Sequence, residues 1–323
     1  MHATCFQPSA RVRAKKRLSR RGMPPRAGLL LLWPLLLCAQ PVLAGVNDIY
    51  LRGLVTENAN GSVSLRQDDF KSLTTELGFV LTPSPLQPAE TTGQSGFDFA
   101  LGYSLHGISY DKPYWRDAIE GSLDGKTPFP VMQTLGIRGR KGFILPIPLS
   151  SEVELGAQWL VDSNLLNLGG KLRLALNEGF QWIPDFAVEA GVNRLVGSQE
   201  IDLTTITAGG SVSKGFGVFG DFNLTPFLSY QAIFINAASR LLVVDPNATA
   251  DVDANLVNFN RIDAMTFTKY QISGANVYHR VSGGLRVHVA IISLYVGVDA
   301  NLTPENVEKP VFYSVAARAG LLF

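Results

Sequence analysis

Over residues 311–323 every second position is apolar: Val311, Tyr313, Val315, Ala317, Ala319, Leu321 and finally Phe323. A period of two puts these residues on one face of a β-strand and their neighbours, Ser314, Arg318 and Gly320 among them, on the other. The pattern recurs. Phe97, Phe99, Leu101, Tyr103 and Leu105 oppose Asp98, Ala100, Gly102, Ser104 and His106. Val153, Leu155, Ala157, Trp159 and Val161 oppose Glu152, Glu154, Gly156 and Gln158. Similar runs start at Leu168, Phe186 and Leu294. Two architectures use such strands. A soluble sandwich buries the apolar faces against each other; a membrane barrel turns them to lipid and keeps the polar faces inside. Glycine and alanine are frequent on the second face, as a narrow lumen requires. Several runs also reach the roughly 9–11 residues that a tilted strand needs to cross a bilayer, where sandwich strands are usually shorter. The pattern therefore predicts an all-β chain: a transmembrane antiparallel up-and-down β-barrel of about ten strands, twelve at most.

The first 44 residues read differently. They hold eight Lys/Arg and no Asp/Glu, and residues 28–39 form an apolar run broken by Pro34, with Val42 and Ala44 as a small-residue cleavage pair. Basic, apolar and small regions in that order are a secretory signal, and the run is too short for a membrane helix. Met23 is an alternative start within it. Cys5 and Cys38 both lie in this segment, so the mature chain carries no disulfide and no cysteine site. Without it the chain keeps 20 basic and 27 acidic residues, a net charge of −7, which gives no bulk attraction for nucleic acid. With 46% hydrophobic residues the chain is no disordered polymer. Residues 45–94 form a separate N-terminal segment. Phe70, Leu73, Leu77 and Val80 share one helix face, Asp68 and Asp69 suit its N-terminus, and Pro83, Pro85 and Pro88 stop it. The expected organisation is a signal over 1–44, a periplasmic or lumen-plugging segment over 45–94, and a barrel over 95–323.

The last strand, with its terminal Phe323, resembles that of Gram-negative outer-membrane β-barrel proteins. The resemblance implies insertion by the barrel-assembly machinery, which reads Tyr313, Val315, Leu321 and Phe323 as an assembly signal, and a place in the outer membrane with its lipid as partner. The stretches Ala175-Leu176-Asn177-Glu178-Gly179-Phe180 and Asp202-Leu203-Thr204-Thr205 are similar to an uncharacterised barrel family of δ-proteobacteria, which brings no activity.

Ten strands fit near 96–110, 131–142, 151–161, 168–177, 185–195, 201–214, 217–236, 264–289, 292–302 and 311–323. Short turns then fall at 143–150, 178–184, 215–216 and 290–291, and the longest loops, 111–130 and 237–263, at the other end. Tyr110, Tyr114, Trp115 and Trp159 are expected at the outer membrane interface, and Phe143, Phe180, Trp182 and Phe323 at the inner one. On the inner face Glu152 and Glu154 lie between Arg138 and Arg140 on one side and Lys171 and Arg173 on the other. Opposite charges on neighbouring strands can pair, so these residues form an expected lumen-facing charge belt with Arg286, Asp299 and Arg318. Asp98, Glu189 and His288 also face inward.

Other motifs lose to simpler readings. Gly215, Gly217 and Gly220 have dinucleotide-loop spacing, but strand continues after them and a glycine-rich hairpin fits better. Asp245, Asn247, Asp251, Asp253 and Asn255 lack the glycine and closing Glu of a calcium loop, and read as an acidic surface loop. His279 faces outward, whereas Ser282 alternates to the other face, so no hydrolase pair converges there. No cofactor, metal site or catalytic set is expected. The leading functional expectation is a channel or transporter for small solutes, apolar ones included. The alternatives are a closed structural or surface-interaction barrel and, last, a lipid-modifying enzyme.

Overall fold

The computed structural model describes residues 45, 47–57, 63–119, 129–144, 149–220, 222–240, 242–243, 264–267, 277–302 and 311–323. A small hairpin of β1 (Val55–Glu57) and β2 (Val63–Leu65) leads into helix α1 (Gln67–Leu81). The remaining elements are β3 (Phe97–Gly107), α2 (Pro113–Ala118), β4 (Val131–Ile144), β5 (Ser150–Leu160), β6 (Leu166–Asn177), β7 (Asp185–Val196), β8 (Ile201–Ser213), β9 (Phe216–Phe219), β10 (Phe222–Ser239), β11 (Leu242–Val243), β12 (Ala264–Met265), β13 (Val277–Val289), β14 (Ile292–Leu302) and β15 (Val311–Leu322). Ten of these strands, β3 to β8, β10 and β13 to β15, pair in sequence as antiparallel neighbours. The ladder of β15 with β3, from Ser314 opposite His106 to Leu322 opposite Asp98, joins the chain ends of the sheet. The ladder of β10 with β13, from Phe222 opposite Val289 to Phe234 opposite Val277, completes the ring. The fold is a closed antiparallel ten-strand barrel.

Its two ends differ. At the turn end lie the start of β3, the end of β15 and the short links, including residues 290–291; Phe97 and Phe323 exchange backbone hydrogen bonds there of 2.9 and 2.8 Å. At the loop end lie the ends of β3, β5, β7, β10 and β14, with the described links 161–165 and 197–200. Two expected boundaries are corrected. The eighth and tenth strands are not joined by a turn at 215–216: β9 folds back on the start of β10 as a hairpin, and Gly220 takes the left-handed conformation (φ 50°) that this turn needs. Nor is 264–289 one strand. Its ladder starts at Val277, while Ala264 and Met265 pair instead with Leu242 and Val243.

The alternation reads directly as a radial direction. Leu101, Leu155, Leu172, Val192, Val296 and Val315 are exposed on the outer wall, Leu155 to 65% and Val296 to 56%. Their sequence neighbours Ala100, Glu154, Arg173, Asn193, Tyr295 and Ser314 are inside and buried. No helix among the described residues is long and apolar enough to cross a membrane, which says nothing about crossing by strands.

Candidate functional site

The inside of the barrel is occupied by the chain's own residues 67–92. Helix α1 enters at the loop end with Asp68 and Asp69 in its first turn, where the helix dipole favours acids, and Asp69 pairs with Arg66 at 3.2 Å. Phe70, Leu73, Leu77 and Val80 are buried, but so are Thr74, Thr75, Glu76, Gly78 and Phe79, so the helix is enclosed on all sides. Phe70 stacks on Phe267 at 4.6 Å, and the Thr75 and Tyr278 hydroxyls meet at 3.0 Å. A Cβ on Gly78 would stand 2.5 Å from Ile235 Cδ1, so a larger residue there would make Ile235 shift.

Pro83 ends the helix, and its last carbonyls need donors. Arg280 of β13, fully buried, supplies them: Nη2 donates to Phe79 O at 2.7 Å and Nη1 to Thr82 O at 2.9 Å and Pro83 O at 3.3 Å. Its Nε donates to Asn301 Oδ1 at 2.5 Å, which fixes the guanidinium plane. Gln158 and Asn167 add side-chain donors to Val80 O (3.1 Å) and Leu81 O (2.6 Å).

Below the helix the segment runs extended toward the turn end. The contacts follow chain order. Ser84 meets Asp299 through its hydroxyl and Arg138 through its carbonyl (3.2 Å). Leu86 packs against Gly297, where an added Cβ would stand 2.4 Å from Leu86 Cδ2. With its amide nitrogen turned toward Glu154, Gln87 donates to that carboxylate at 2.8 Å and its oxygen accepts from Lys171 at 2.6 Å. Arg173 donates to Pro88 O, Ala89 N to Ser213 Oγ at 2.9 Å, and Glu90 pairs with Arg286. Finally Thr91 N donates to Glu178 at 2.9 Å and Thr92 N to Glu152 at 3.0 Å. Beside Pro83, Gly156, Gly170 and Asn193 a cavity remains, with room for about two water molecules.

Every member of the expected charge belt points inward. Glu154 reaches Arg138 (3.3 Å) and Lys171 (3.8 Å); Glu189 continues the row to Lys171 (3.2 Å) and Arg173 (2.7 Å). Arg140 joins Asp98 and Glu152 (3.4 Å), and the Tyr295 hydroxyl accepts from it at 2.9 Å. Arg318 lies over the Tyr295 ring at 5.6 Å, and its two terminal nitrogens have no hydrogen-bond partner among the described residues. The belt encloses a chain segment rather than a water column. Arg280 and Gln87 were absent from the expected set. Alternation alone would have found Arg280, because it neighbours the outward His279; nothing in the sequence marks Gln87 as a belt partner.

At the loop end the described residues 47–57 and 63–66 lie over the mouth. Gly45 and Asn164 backbone nitrogens donate to Asp48, Asn47 Nδ2 to Val161 O at 2.9 Å, and Leu51 N to Glu200 at 2.5 Å. Arg66 donates to Asp117 at 2.7 Å. Glu76 of α1 accepts from Ser109 N (2.9 Å), Tyr114 Oη (2.5 Å) and Trp115 Nε1 (2.6 Å). This corrects the expected place of Tyr114 and Trp115: they are buried over the helix and do not face outward. Burial, helped by the Glu76 carboxylate, pushes the Tyr114 phenol well above its ordinary range, so it stays a donor. Trp159 and Phe323 are exposed on the outer wall, as are Tyr313, Val315 and Leu321 of the last strand, and Phe180 and Trp182 are exposed in the link between β6 and β7.

The rejected chemistry has no better geometry. His279 faces outward and contacts the Tyr230 hydroxyl at 2.7 Å, while Ser282 is buried inside. No group of three metal-ligating side chains occurs among the described residues. The acidic stretch with Asp245, Asn247, Asp251, Asp253 and Asn255 lies outside the described residues, as does the 1–44 segment.

No family model matches the chain, and no curated protein does. Among solved structures, it is similar to the translocator domain of autotransporter NalP from Neisseria meningitidis: 9% identity over 80% of this chain and 97% of that one, TM-score 0.36. It is also similar to LpxR from Salmonella typhimurium (9% identity, 69% and 100% covered, TM-score 0.31) and to Neisserial surface protein A (13%, 71% and 97%, TM-score 0.28). Likeness of this extent adds nothing about activity.

Proposed function

We propose that this chain is an integral outer-membrane β-barrel that its own N-terminal segment holds shut, and that it serves as a structural or surface-interaction barrel rather than an open diffusion pore. The outer wall supports the membrane part. On β14 the outward residues from Ile292 to Leu302 are apolar; ten residue steps at about 3.3 Å, tilted by about 40°, give a band about 25 Å tall, the height of a barrel's lipid-facing surface. In that setting the short links face the periplasm and the loop end faces outward. The narrower kinship read from residues 175–180 and 202–205 names no activity and adds none to this reading.

The observation that carries the closed state is the occupied lumen, where residues 70–92 meet the wall from one end to the other. Passage of a small solute, the first expectation from the sequence, requires that segment to leave. The test is to refold residues 45–323 in detergent, verify a heat-modifiable barrel on a gel, and record conductance in a planar bilayer. The full chain is expected to be silent, and the 45–94 deletion to conduct. Regular conductance steps from the folded full chain at low voltage would overturn the closed reading.

A further inference from the structure

The lumenal segment does more than fill space: its direction fixes the end of the barrel at which residues 45–57 lie. Strand β3 begins at the turn end, where Phe97 bonds Phe323. Residues 92 to 67, followed backwards, climb the lumen from Glu152 and Glu178 at that end to Phe267 and Tyr278 at the other. Residues 45–54 are then fastened to three loop-end connections, through Ala118 O, Val161 O and Asn164, and Glu200. Ten strands return the chain to the face from which it started. The lumenal run is an eleventh crossing, and it leaves Gly45 and Leu51 on the opposite face.

We propose that the barrel carries its own N-terminal segment across the outer membrane and displays it at the cell surface. The inference rests on the outer-membrane reading above. Helix α1 with its side chains is about 10–12 Å wide, and an extended chain is narrower still, so a ten-strand lumen passes one polypeptide once the wall contacts form behind it. The hydrogen bonds are arranged to hold the segment after arrival: Arg280 takes the helix end, and Glu76 takes the Ser109–Trp115 stretch only when the helix stands at full height in the mouth. The displayed surface includes the β1–β2 hairpin, where Thr56 and Ser64 are exposed.

The chain suits a direct test, because its two cysteines precede residue 45. In a Cys5→Ser, Cys38→Ser background, Thr56→Cys and Ser64→Cys report the loop end, and the exposed Gln94→Cys the turn end. Intact cells are treated with a membrane-impermeant maleimide, before and after outer-membrane permeabilisation, and the protein is located by fractionation and heat-modifiability. Positions 56 and 64 are expected to label in intact cells, and position 94 only after permeabilisation. A folded barrel in the outer-membrane fraction whose positions 56 and 64 label only after permeabilisation would overturn the display and leave the closed-barrel reading standing. Recovery in the soluble periplasmic fraction would overturn both.

Discussion

Arg280 is where the closed state is most exposed to a single substitution. Its guanidinium covers three carbonyls at the end of α1, at 2.7, 2.9 and 3.3 Å, and is steered by Asn301. Arg280→Met keeps much of the volume and removes every donor. A buried acceptor left without a partner costs about 1–3 kcal/mol, and the loss of a cation at a helix C-terminus adds up to about 1 kcal/mol. Against this, methionine needs no desolvation, which returns part of the loss. Counting Phe79 O and Thr82 O fully and Pro83 O weakly leaves a net of about 3 kcal/mol against the seated segment, or about a hundredfold in the open population. Arg280→Lys keeps the charge without the planar fork and should fall between, near tenfold. The assay is the frequency of opening in planar bilayers per folded barrel, with dye release from loaded vesicles as a second readout. Arg140→Met serves as comparator. It unpairs Asp98 and Glu152 in the wall and makes no direct bond to the segment, so it should lower thermal stability more than it raises opening. If folded Arg280→Met barrels open no more often than the parent, the helix-end cap is not what holds the segment.

Three further outcomes follow from the same contacts. Deleting Phe323 removes the backbone pair with Phe97 as well as the apolar end of the last strand; the protein is expected to leave the outer-membrane fraction, and normal assembly would refute the signal assigned to that strand. Glu76→Ala strips the shared acceptor from Ser109, Tyr114 and Trp115, costing about 3 kcal/mol locally; trypsin should then cut at the exposed Arg116 well before the barrel unfolds. Gly297→Val puts a Cβ 2.4 Å from Leu86 Cδ2 of the segment and 2.9 Å from the Gly283 backbone oxygen of β13. Such overpacking costs about 1–3 kcal/mol, so opening should rise while heat-modifiability persists, and an unchanged silent barrel would argue that the segment is not seated against β14.

The outer wall was legible because one physical rule governs it. Residues such as Leu101, Leu155 and Val296 point outward, and their polar neighbours cannot, so a period of two survives into the sequence without help from tertiary contacts. The inward direction of Glu154 and Lys171 follows from the same rule. What those residues touch does not. Gln87, Ser84 and Pro88 meet the wall from an extended, proline-rich stretch that has no period, so no pattern ties them to residues 54 to 215 positions away. Tyr114 and Trp115 were misplaced for a related reason. An aromatic pair beside a strand end suits a membrane interface as well as a lumen cap, and only the buried Glu76 carboxylate, from a distant helix, decides between them. The glycine-rich hairpin was legible but its turn was placed at 215–216 rather than at Gly220, because Phe216 and Val218 alternate as barrel residues do.

The charges on the inner wall make sense only with the segment in place. In a lumen full of water, a row of Arg138, Glu154, Lys171, Glu189 and Arg173 would contribute little, because exposed ion pairs in high dielectric contribute about 0–1 kcal/mol each. Here Glu154, Glu189 and Arg173 are buried and Arg138 and Lys171 are nearly so, where unpaired charges are costly and paired ones must satisfy their remaining donors and acceptors. The segment does part of that work. Its amide at Gln87 sits between Glu154 and Lys171, its carbonyls at Ser84 and Pro88 take donors from Arg138 and Arg173, and its backbone nitrogens at Thr91 and Thr92 take up Glu178 and Glu152. Wall and segment are therefore interdependent. Removing the segment rehydrates the belt and lowers its contribution, whereas neutralising one belt member leaves its partner buried and unpaired. Glu154→Gln should accordingly destabilise the full chain more than the 45–94 deletion, measured as the shift in heat-modification temperature of each, and equal shifts in the two backgrounds would mean that the belt serves the wall alone.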